Sequence, residues 1–394
     1  SYEYIIKTAS EPGMPRKEQP LHEAMSLFDG RFLDTEDTIV IIDEIQDSAK
    51  VYSLIRQFAR EFSCHFVVTG SYLGKTLSKE YFQPVGDLDI MTLDTLTFEE
   101  FLDAKGKRDL YDSIDLFGSS PHEDYDELKQ YYDLYCQIGG YPAVVKTYLE
   151  TKNLETCRME LDRVIHIFTE ESQSYFDNVL DINLFGQLLP AVAQTMIKEK
   201  KGSEDLISEL SKIVYKQESS RLSKRTINQA IAWLYRSHIL DFCGKANDCN
   251  PTDVSANSRF YFLDVGVCRS FLDMAGADLS SLRGIINENF VYIDLLKRVR
   301  ARKISGTAPM FGLYKEGEID FLINSRENYK TYGVEVKAGK SEGKTAQLLL
   351  RDQKVEAVYF FKGDTYGGIS DKKITVPIYL AGRVRFDFKN EQDV

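Results

Sequence analysis

The sequence predicts an α/β protein of several domains, and three observations carry that prediction. Two apolar runs, Thr38-Ile-Val-Ile-Ile-Asp43 and Cys64-His-Phe-Val-Val-Thr69, each end in acidic or small polar residues. That is the pattern of buried parallel strands with working residues at their carboxyl edge. Near the C-terminus, Glu318–Asn324 and Tyr332–Lys337 alternate apolar and polar residues, the period of strands with one packed face. The third observation is size: 394 residues, 43% of them hydrophobic and 12% aromatic, exceed one ordinary domain and suffice for real cores.

Taken in order, Tyr2–Lys7 reads as a strand, and Pro12, Gly13 and Pro15 form a loop before a helix over Leu21–Phe28. The first residue is Ser rather than Met, so an upstream piece is expected to be missing. After the strand ending at Asp43-Glu44 comes an amphipathic helix, Val51–Phe62, and then the strand ending at Thr69-Gly70-Ser71. From Leu93 the character becomes helical, with Thr97 capping a helix that carries early acids. Asp109–Asp126 is acidic and turn-rich and reads as a solvated loop. Gly139-Gly-Tyr-Pro142 breaks one helix and starts the next.

Ile182–Lys200, Ser203–Tyr215 and Ser223–Ser237 then read as three helices, followed by strands Ile239–Lys245 and Arg259–Leu263. That order is a winged-helix pattern, with Ser223-Lys224-Arg225-Thr226 opening a recognition helix. The last part reads as a helix (Ile285–Lys303), a strand (Thr307–Lys315), the hairpin, a helix (Ser341–Lys354) and strands Ala357–Lys362 and Ile374–Leu380. In the hairpin, Ile319, Phe321 and Ile323 are expected on one face with Val334 and Val336 among them. Asp320, Glu335 and Lys337 are expected on the other. Two carboxylates held together repel unless a cation sits between them, and hard carboxylate oxygens suit Mg²⁺ or Mn²⁺. Such an ion with a lysine beside it fits phosphodiester hydrolysis.

The order helix, three strands, helix, strand resembles the core of the PD-(D/E)xK restriction-endonuclease-like fold. The resemblance implies a catalytic set of Asp320, Glu335 and Lys337, with Glu288 from the preceding helix joining Asp320 and Glu335 as a metal ligand. Val-Ile-Ile-Asp43-Glu44 is similar to the Walker B element of P-loop ATPases, which implies that Asp43 holds Mg²⁺ and Glu44 polarises the attacking water. Thr69 or Ser71 would fill the sensor 1 position of AAA-type ATPases. Six motifs in matching order, from Asp43-Glu44 through Val-Thr69-Gly70-Ser71, Gly139-Gly-Tyr-Pro142, Phe-Leu-Asp264-Val-Gly266 and Asn287-Glu288-Asn-Phe290 to Glu318-Ile-Asp320-Phe, make the chain similar to a prokaryotic family. That family joins an AAA-type ATPase module to a C-terminal domain of unknown function with a nuclease-like fold.

Two departures stand out. The nearest match to a phosphate loop, Gly70-Ser-Tyr-Leu-Gly74-Lys75-Thr76, is one residue short and follows the wrong strand, so the true loop is expected upstream of this chain. No arginine lies between Arg60 and Arg108, which leaves a trans-acting arginine finger in doubt. The expected organisation is a partial ATPase core over 1–92, a helical lid over 93–181, a winged helix over 182–272 and the nuclease-like domain over 280–394.

The net charge of −12 argues against a protein coated for nucleic acid. From Ser281 onward, however, 20 Lys and Arg face 15 Asp and Glu, a surplus of +5, leaving −17 for the remainder. The densest basic run, Lys297, Arg298, Arg300, Arg302 and Lys303, is the candidate phosphate-seeking surface, and a helix C-terminus that favours cations is an equal reading of it. No apolar run approaches the roughly eighteen residues of a membrane span, and no signal peptide opens the chain. The six cysteines include no Cys-x-x-Cys pair, so neither a zinc site nor a disulfide framework is indicated, and a cytoplasmic location is expected. The expected cofactors are ATP and Mg²⁺ or Mn²⁺. The expected partner is nucleic acid, DNA before RNA; an oligomer or partner protein is compatible, and no membrane is expected. The functions in play are an ATPase coupled to a metal-dependent nuclease, a nucleotide-driven switch or scaffold that binds without cutting, and a DNA-binding regulator acting through its winged helix.

Overall fold

Apolar runs that end in polar residues do pair as parallel strands. In the computed structural model, β1 (Ile39–Ile42) lies beside β2 (His65–Val68), with Ile39 opposite His65 and Ile42 opposite Val68. Helix α1 (Pro20–Phe28) precedes them. Residues 20–71, 76, 88–175, 184–198, 205–217, 223–304, 308–326, 328–337 and 343–387 are described. The strand expected over Tyr2–Lys7, the Pro12–Pro15 loop and most of the near-match to a phosphate loop lie outside them. The single helix expected over Val51–Phe62 is two, α2 (Ala49–Tyr52) and α3 (Ile55–Glu61). The break falls where Leu54 N–H bonds back to Val51 O, a three-residue closure that tightens the turn. Ile42, Ile45, Val51, Ile55 and Phe58 form the core beneath the strands.

The chain divides by contacts into two compact units: one runs to Leu93 and takes in Ala232–Ser237, and the other comprises Asp94–Ile231 with His238–Val394. The second unit begins with α4 (Phe98–Ala104), where Thr97 and Glu100 form a capping box. Asp109–Asp126 is not the solvated loop its acidity suggests. It holds α5 (Arg108–Ser113) and the start of α6 (His122–Ile138), because Tyr111 and Tyr125 are fully buried. The Tyr125 hydroxyl donates to Asp115 O at 2.7 Å, which closes the turn between the two helices. Helix α6 stops at Gly139, whose φ of 74° is left-handed, and α7 (Pro142–Thr151) restarts with proline in its first turn. Helices α8 (Leu154–Tyr175), α9 (Leu184–Lys198), α10 (Leu206–Gln217) and α11 (Lys224–Arg236) follow.

The remaining strands form one eight-stranded sheet in the order β4-β3-β5-β6-β7-β8-β10-β9. Its members are β3 (Leu240–Ala246), β4 (Val254–Phe262), β5 (Met310–Tyr314), β6 (Gly317–Asn324), β7 (Thr331–Lys337), β8 (Val358–Lys362), β9 (Gly368–Ser370) and β10 (Lys373–Pro377). Helices α12 (Val265–Met274), α13 (Leu279–Arg300) and α14 (Lys344–Arg351) complete the unit. The two strands expected as a free wing do pair antiparallel, Leu240 opposite Phe262, but β3 also pairs in parallel with β5. They are outer strands of the large sheet. An isolated two-stranded hairpin is marginal in water, and here Phe260 and Phe262 are buried. The boundary expected between 272 and 280 therefore falls within a single compact unit.

Strict alternation fails in β6. The β5 pairing shifts register between Met310–Leu322 and Gly312–Ile319, so β6 carries one extra residue. Ile319 consequently joins Leu322, Ala346 and Leu349 in one core, while Phe321 packs with Tyr261 and Tyr292. The expectation that Ile319 and Phe321 share a face is corrected by this bulge. Gly312 and Gly333 make room for the redirected side chain: a β-carbon on either would come within 2.6 or 2.5 Å of Ile319. Among the described residues, no helix is long and apolar enough to cross a membrane.

Candidate functional site

The hairpin ladder runs from Asn324–Thr331 to Phe321–Val334, and Asp320 and Glu335 are the next residues beyond its last pair. There the backbone pairing gives way to a side chain: Asp320 Oδ2 accepts the Val336 N–H at 2.6 Å. Both carboxylates are buried, Asp320 to 7% and Glu335 to 3% exposure. Lys337 Nζ lies 2.7 Å from Glu335 Oε1, while Glu335 Oε2 is buried without a hydrogen-bond partner. Gly343, at the start of α14, lets Glu335 sit there, since a β-carbon would stand 2.6 Å from Oε1.

Charge at this spot is frustrated. Burial pushes the Asp320 carboxyl well above the usual carboxylate range, and Glu335 and Glu288 push it further. Glu335 is also raised by burial, against the pull of Lys337. Burial alone would lower the Lys337 ammonium, but Asp320 and Glu335 outweigh it and the net shift is upward. A buried carboxylate pair with an orphaned oxygen is a receptacle for positive charge.

Glu288 does not complete a metal set. It accepts from Tyr261 OH at 2.6 Å and pairs with Arg259 at 2.8 Å. Arg259 also reaches Glu318 at 3.5 Å and lies over the Phe311 ring, 3.8 Å from its centre. Among the described residues no three His, Cys, Asp or Glu side chains are arranged to hold a metal ion. The expected trio of Glu288, Asp320 and Glu335 is thus reduced to a pair, because β4 supplies a cation that takes Glu288 first. Two carboxylates still fit one hard divalent ion, since Mg²⁺ commonly keeps several waters and takes one or two protein carboxylates. The orphaned Glu335 Oε2 is the observation that supports the fit.

The basic run behaves otherwise than a phosphate-binding face requires. Lys297 is buried and donates to Thr95 O at 2.6 Å. Arg298 is buried as well, donating to Ala381 O at 3.0 Å and to Val384 O. Arg300 pairs with Asp241 at 3.0 Å. Arg302 is exposed, and Lys303 lies 4.0 Å from Glu99. Three of the five side chains are therefore spent on the helix's own surroundings, as the helix-end reading of this run allows.

Several motifs that carried the resemblance serve the fold. Asp264 caps α12 by accepting Gly266 and Val267 N–H, and its other oxygen accepts Gly140 N–H at 2.8 Å. The Gly139-Gly140 turn and the Asp264-Val-Gly266 turn are thereby stapled together. Asn289 brackets the Phe262 backbone, accepting from its N–H at 3.0 Å and donating to its carbonyl at 2.9 Å.

At the carboxyl end of β1, the left-handed backbone of Glu44 (φ 51°) turns the chain sharply. Asp43 is exposed and accepts from the Thr69 hydroxyl and from Glu44 N–H. The Ser71 hydroxyl donates to Glu44 Oε1 at 3.1 Å, and Gln46 donates to Oε2. The four residues singled out in the sequence thus meet at one strand end, although Thr69 and Ser71 come from a strand 26 residues away. An exposed aspartate is suited to holding Mg²⁺ through water. Residues 11–102 match the AAA domain family. This region is an AAA-type, P-loop ATPase-like domain. AAA domains in general use ATP or a related nucleotide with Mg²⁺. Residues 129–278 match a domain of unknown function (DUF8612). That span includes the Gly139–Asp264 staple and Arg259 but none of Glu288, Asp320, Glu335 and Lys337. No curated protein matches the chain.

Sequence reasoning passed over Arg259, Tyr261, Gly343 and Lys362. Arg259 carried a signal: it adjoins the aromatic run Phe260-Tyr-Phe262, and a cation buried among aromatics needs a carboxylate.

Proposed function

We propose that the ATPase-like domain regulates a cation-dependent phosphodiesterase site in the C-terminal sheet, with nucleic acid as substrate and DNA favoured over RNA. The observation that carries this reading is the buried Asp320–Glu335 pair beside Lys337, with one carboxylate oxygen left unpartnered. Support also comes from order and pairing: α13, then antiparallel β5, β6 and β7, then α14, then β8 parallel to β7, as the PD-(D/E)xK resemblance implies. A divalent ion held by Asp320 and Glu335 would supply a water of lowered pKa and offset phosphate charge. Lys337, positioned by Glu335, donates hydrogen bonds to the attacking water or to the developing negative charge. Burial excludes bulk water, which strengthens each of these interactions. In the ATPase-like domain, Asp43 would hold Mg²⁺ and Glu44 would polarise water, with Thr69 and Ser71 positioning the two carboxylates.

The test is cleavage of single- and double-stranded DNA and RNA with Mg²⁺ or Mn²⁺. Cutting lost in both Asp320→Asn and Lys337→Ala supports the proposal. No cutting, or cutting that survives both changes, overturns it. A second reading, a nucleotide-driven switch whose nuclease-like sheet binds nucleic acid or protein without cutting, is favoured by the capture of Glu288 by Arg259 and Tyr261. The winged-helix regulator has less behind it: Lys224 is paired with Asp205 at 2.9 Å, and the wing strands belong to the sheet.

A further inference from the structure

Three parallel strands end level with one another. Lys337, the last residue of β7, is the Cα partner of Lys362, the last of β8, and Lys362 is the partner of Pro377, the last of β10. Partners in a ladder send their side chains to the same face, about 4.8 Å apart. Lys362 therefore stands beside Lys337, and Phe360 beside Glu335. The Lys362 side chain is largely buried, at 8% residue exposure, and its ammonium lies 5.3 Å from the centre of the Phe360 ring. Lys337 has a carboxylate at 2.7 Å; among the described residues Lys362 has none.

Two ammonium groups side by side at the strand ends, only one of them with a carboxylate, leave a positive charge that an anion can serve. The place is also where anions are received: ligands of open α/β sheets bind outside the carboxyl ends of parallel strands. We propose that Lys362 is a phosphate-binding residue that contacts a backbone phosphate of a nucleic-acid strand next to the one at Asp320, Glu335 and Lys337. This rests on the phosphodiesterase reading above. A compact ammonium on an apolar stem suits a phosphate oxygen without demanding the planar geometry of an arginine pair. Its contribution is to strand position and not to the bond-breaking step, so Lys362 is a positioning residue.

The experiment is fluorescence anisotropy with 5′-fluorescein-labelled DNA oligonucleotides, single-stranded and duplex, with Ca²⁺ in place of Mg²⁺ to hold back turnover, over a series of KCl concentrations. Lys362→Met keeps the apolar stem over Phe360 and removes the charge. Lys362→Arg keeps the charge, and thermal unfolding checks that both variants remain folded. The expected result is weaker binding by Lys362→Met and a salt dependence shallower by about 0.7 for single strands or 0.9 for duplex, the loss of one phosphate contact. Lys362→Arg is expected to restore the slope. Binding by wild type with an unchanged slope in folded Lys362→Met overturns the assignment and leaves the phosphodiesterase reading standing. Absence of binding by wild type overturns both.

Discussion

Replacing Asp320 with Asn removes one of two buried carboxylates and keeps an acceptor oxygen for the Val336 N–H. Opposed side chains of an antiparallel pair have β-carbons about 5 Å apart. Two unit charges at that distance repel by about 3 kcal/mol at an effective dielectric constant of 20. Lys337 offsets part of this, so without a divalent cation the variant is expected to be about 1–2 kcal/mol more stable at neutral pH. The sign follows from the raised pKa values of Asp320 and Glu335. An acid raised in the folded state contributes its stability while protonated, below its unfolded value near about 4, and loses it as pH rises through the folded value. The advantage of Asp320→Asn should therefore vanish at acid pH, grow as pH rises from the unfolded value to the folded one, and level off above it. Mn²⁺ should reverse the order: at about a hundred times its Kd it stabilises wild type by about 2.7 kcal/mol. For a unit of roughly 300 residues that is about 4 °C, taking an unfolding entropy of about 2.1 cal/mol/K per residue. Thermal unfolding of both proteins in EDTA and in Mn²⁺, at acid and neutral pH, measures all of this. An equal Mn²⁺ shift in the two proteins, or a variant less stable than wild type in EDTA at neutral pH, would refute the reasoning.

Gly343→Ala should push the Glu335 carboxylate off its seat and weaken Mn²⁺ binding about 10–100-fold, as loss of a supporting contact around a metal ligand commonly does; calorimetric titration reads it, and the melting temperature in EDTA should move little. Asn289→Ala leaves the buried Phe262 N–H and carbonyl without their side-chain partners and should cost about 2–4 kcal/mol in urea unfolding. Arg298→Met strips the donors from Ala381 and Val384 and leaves Asp294 unpaired, a loss of about 3–5 kcal/mol. Under native conditions the same variant should show no change in the salt dependence of DNA binding, whereas a phosphate-contacting arginine would lower it.

What the sequence discloses here is local. Alternation placed β6 and β7, apolar runs placed β1, β2 and β8, and the Thr97 capping box and the proline of Gly139-Gly-Tyr-Pro142 marked helix starts. Each is written within a few residues. What it hides is set by neighbours distant in the chain. The extra residue in β6 becomes visible only against β5, and it divides Ile319 from Phe321. The strands at 240–246 and 254–262 read as a wing because nothing local shows that β3 will meet β5 about 65 residues later. Acidic residues around Tyr111 and Tyr125 outweigh two tyrosines in any composition window, yet those rings decide that the segment packs. The basic run at 297–303 was legible as charge but not as purpose, since Thr95, Ala381 and Val384, whose carbonyls accept its hydrogen bonds, lie at both ends of the compact unit.

The candidate site itself unites what sequence reading divides. Asp320, Glu335 and Lys337 come from one hairpin, whereas the cation that governs Glu288 comes from β4, a strand that precedes α13. Arg259 with Glu288 and Glu318 carries a formal charge of −1, and Asp320, Glu335 and Lys337 carry another −1. Releasing Glu288 toward Asp320 would place three carboxylates around one buried point, where Asp320 is already raised by burial and by its neighbours. Arg259 prevents that accumulation while buried over Phe311, so its hold on Glu288 is screened less than a surface pair would be. On the proposed reading, the pair would therefore take a single divalent ion rather than two. A second ion would need Glu288, and to take it would have to leave a buried guanidinium without its partner at 2.8 Å.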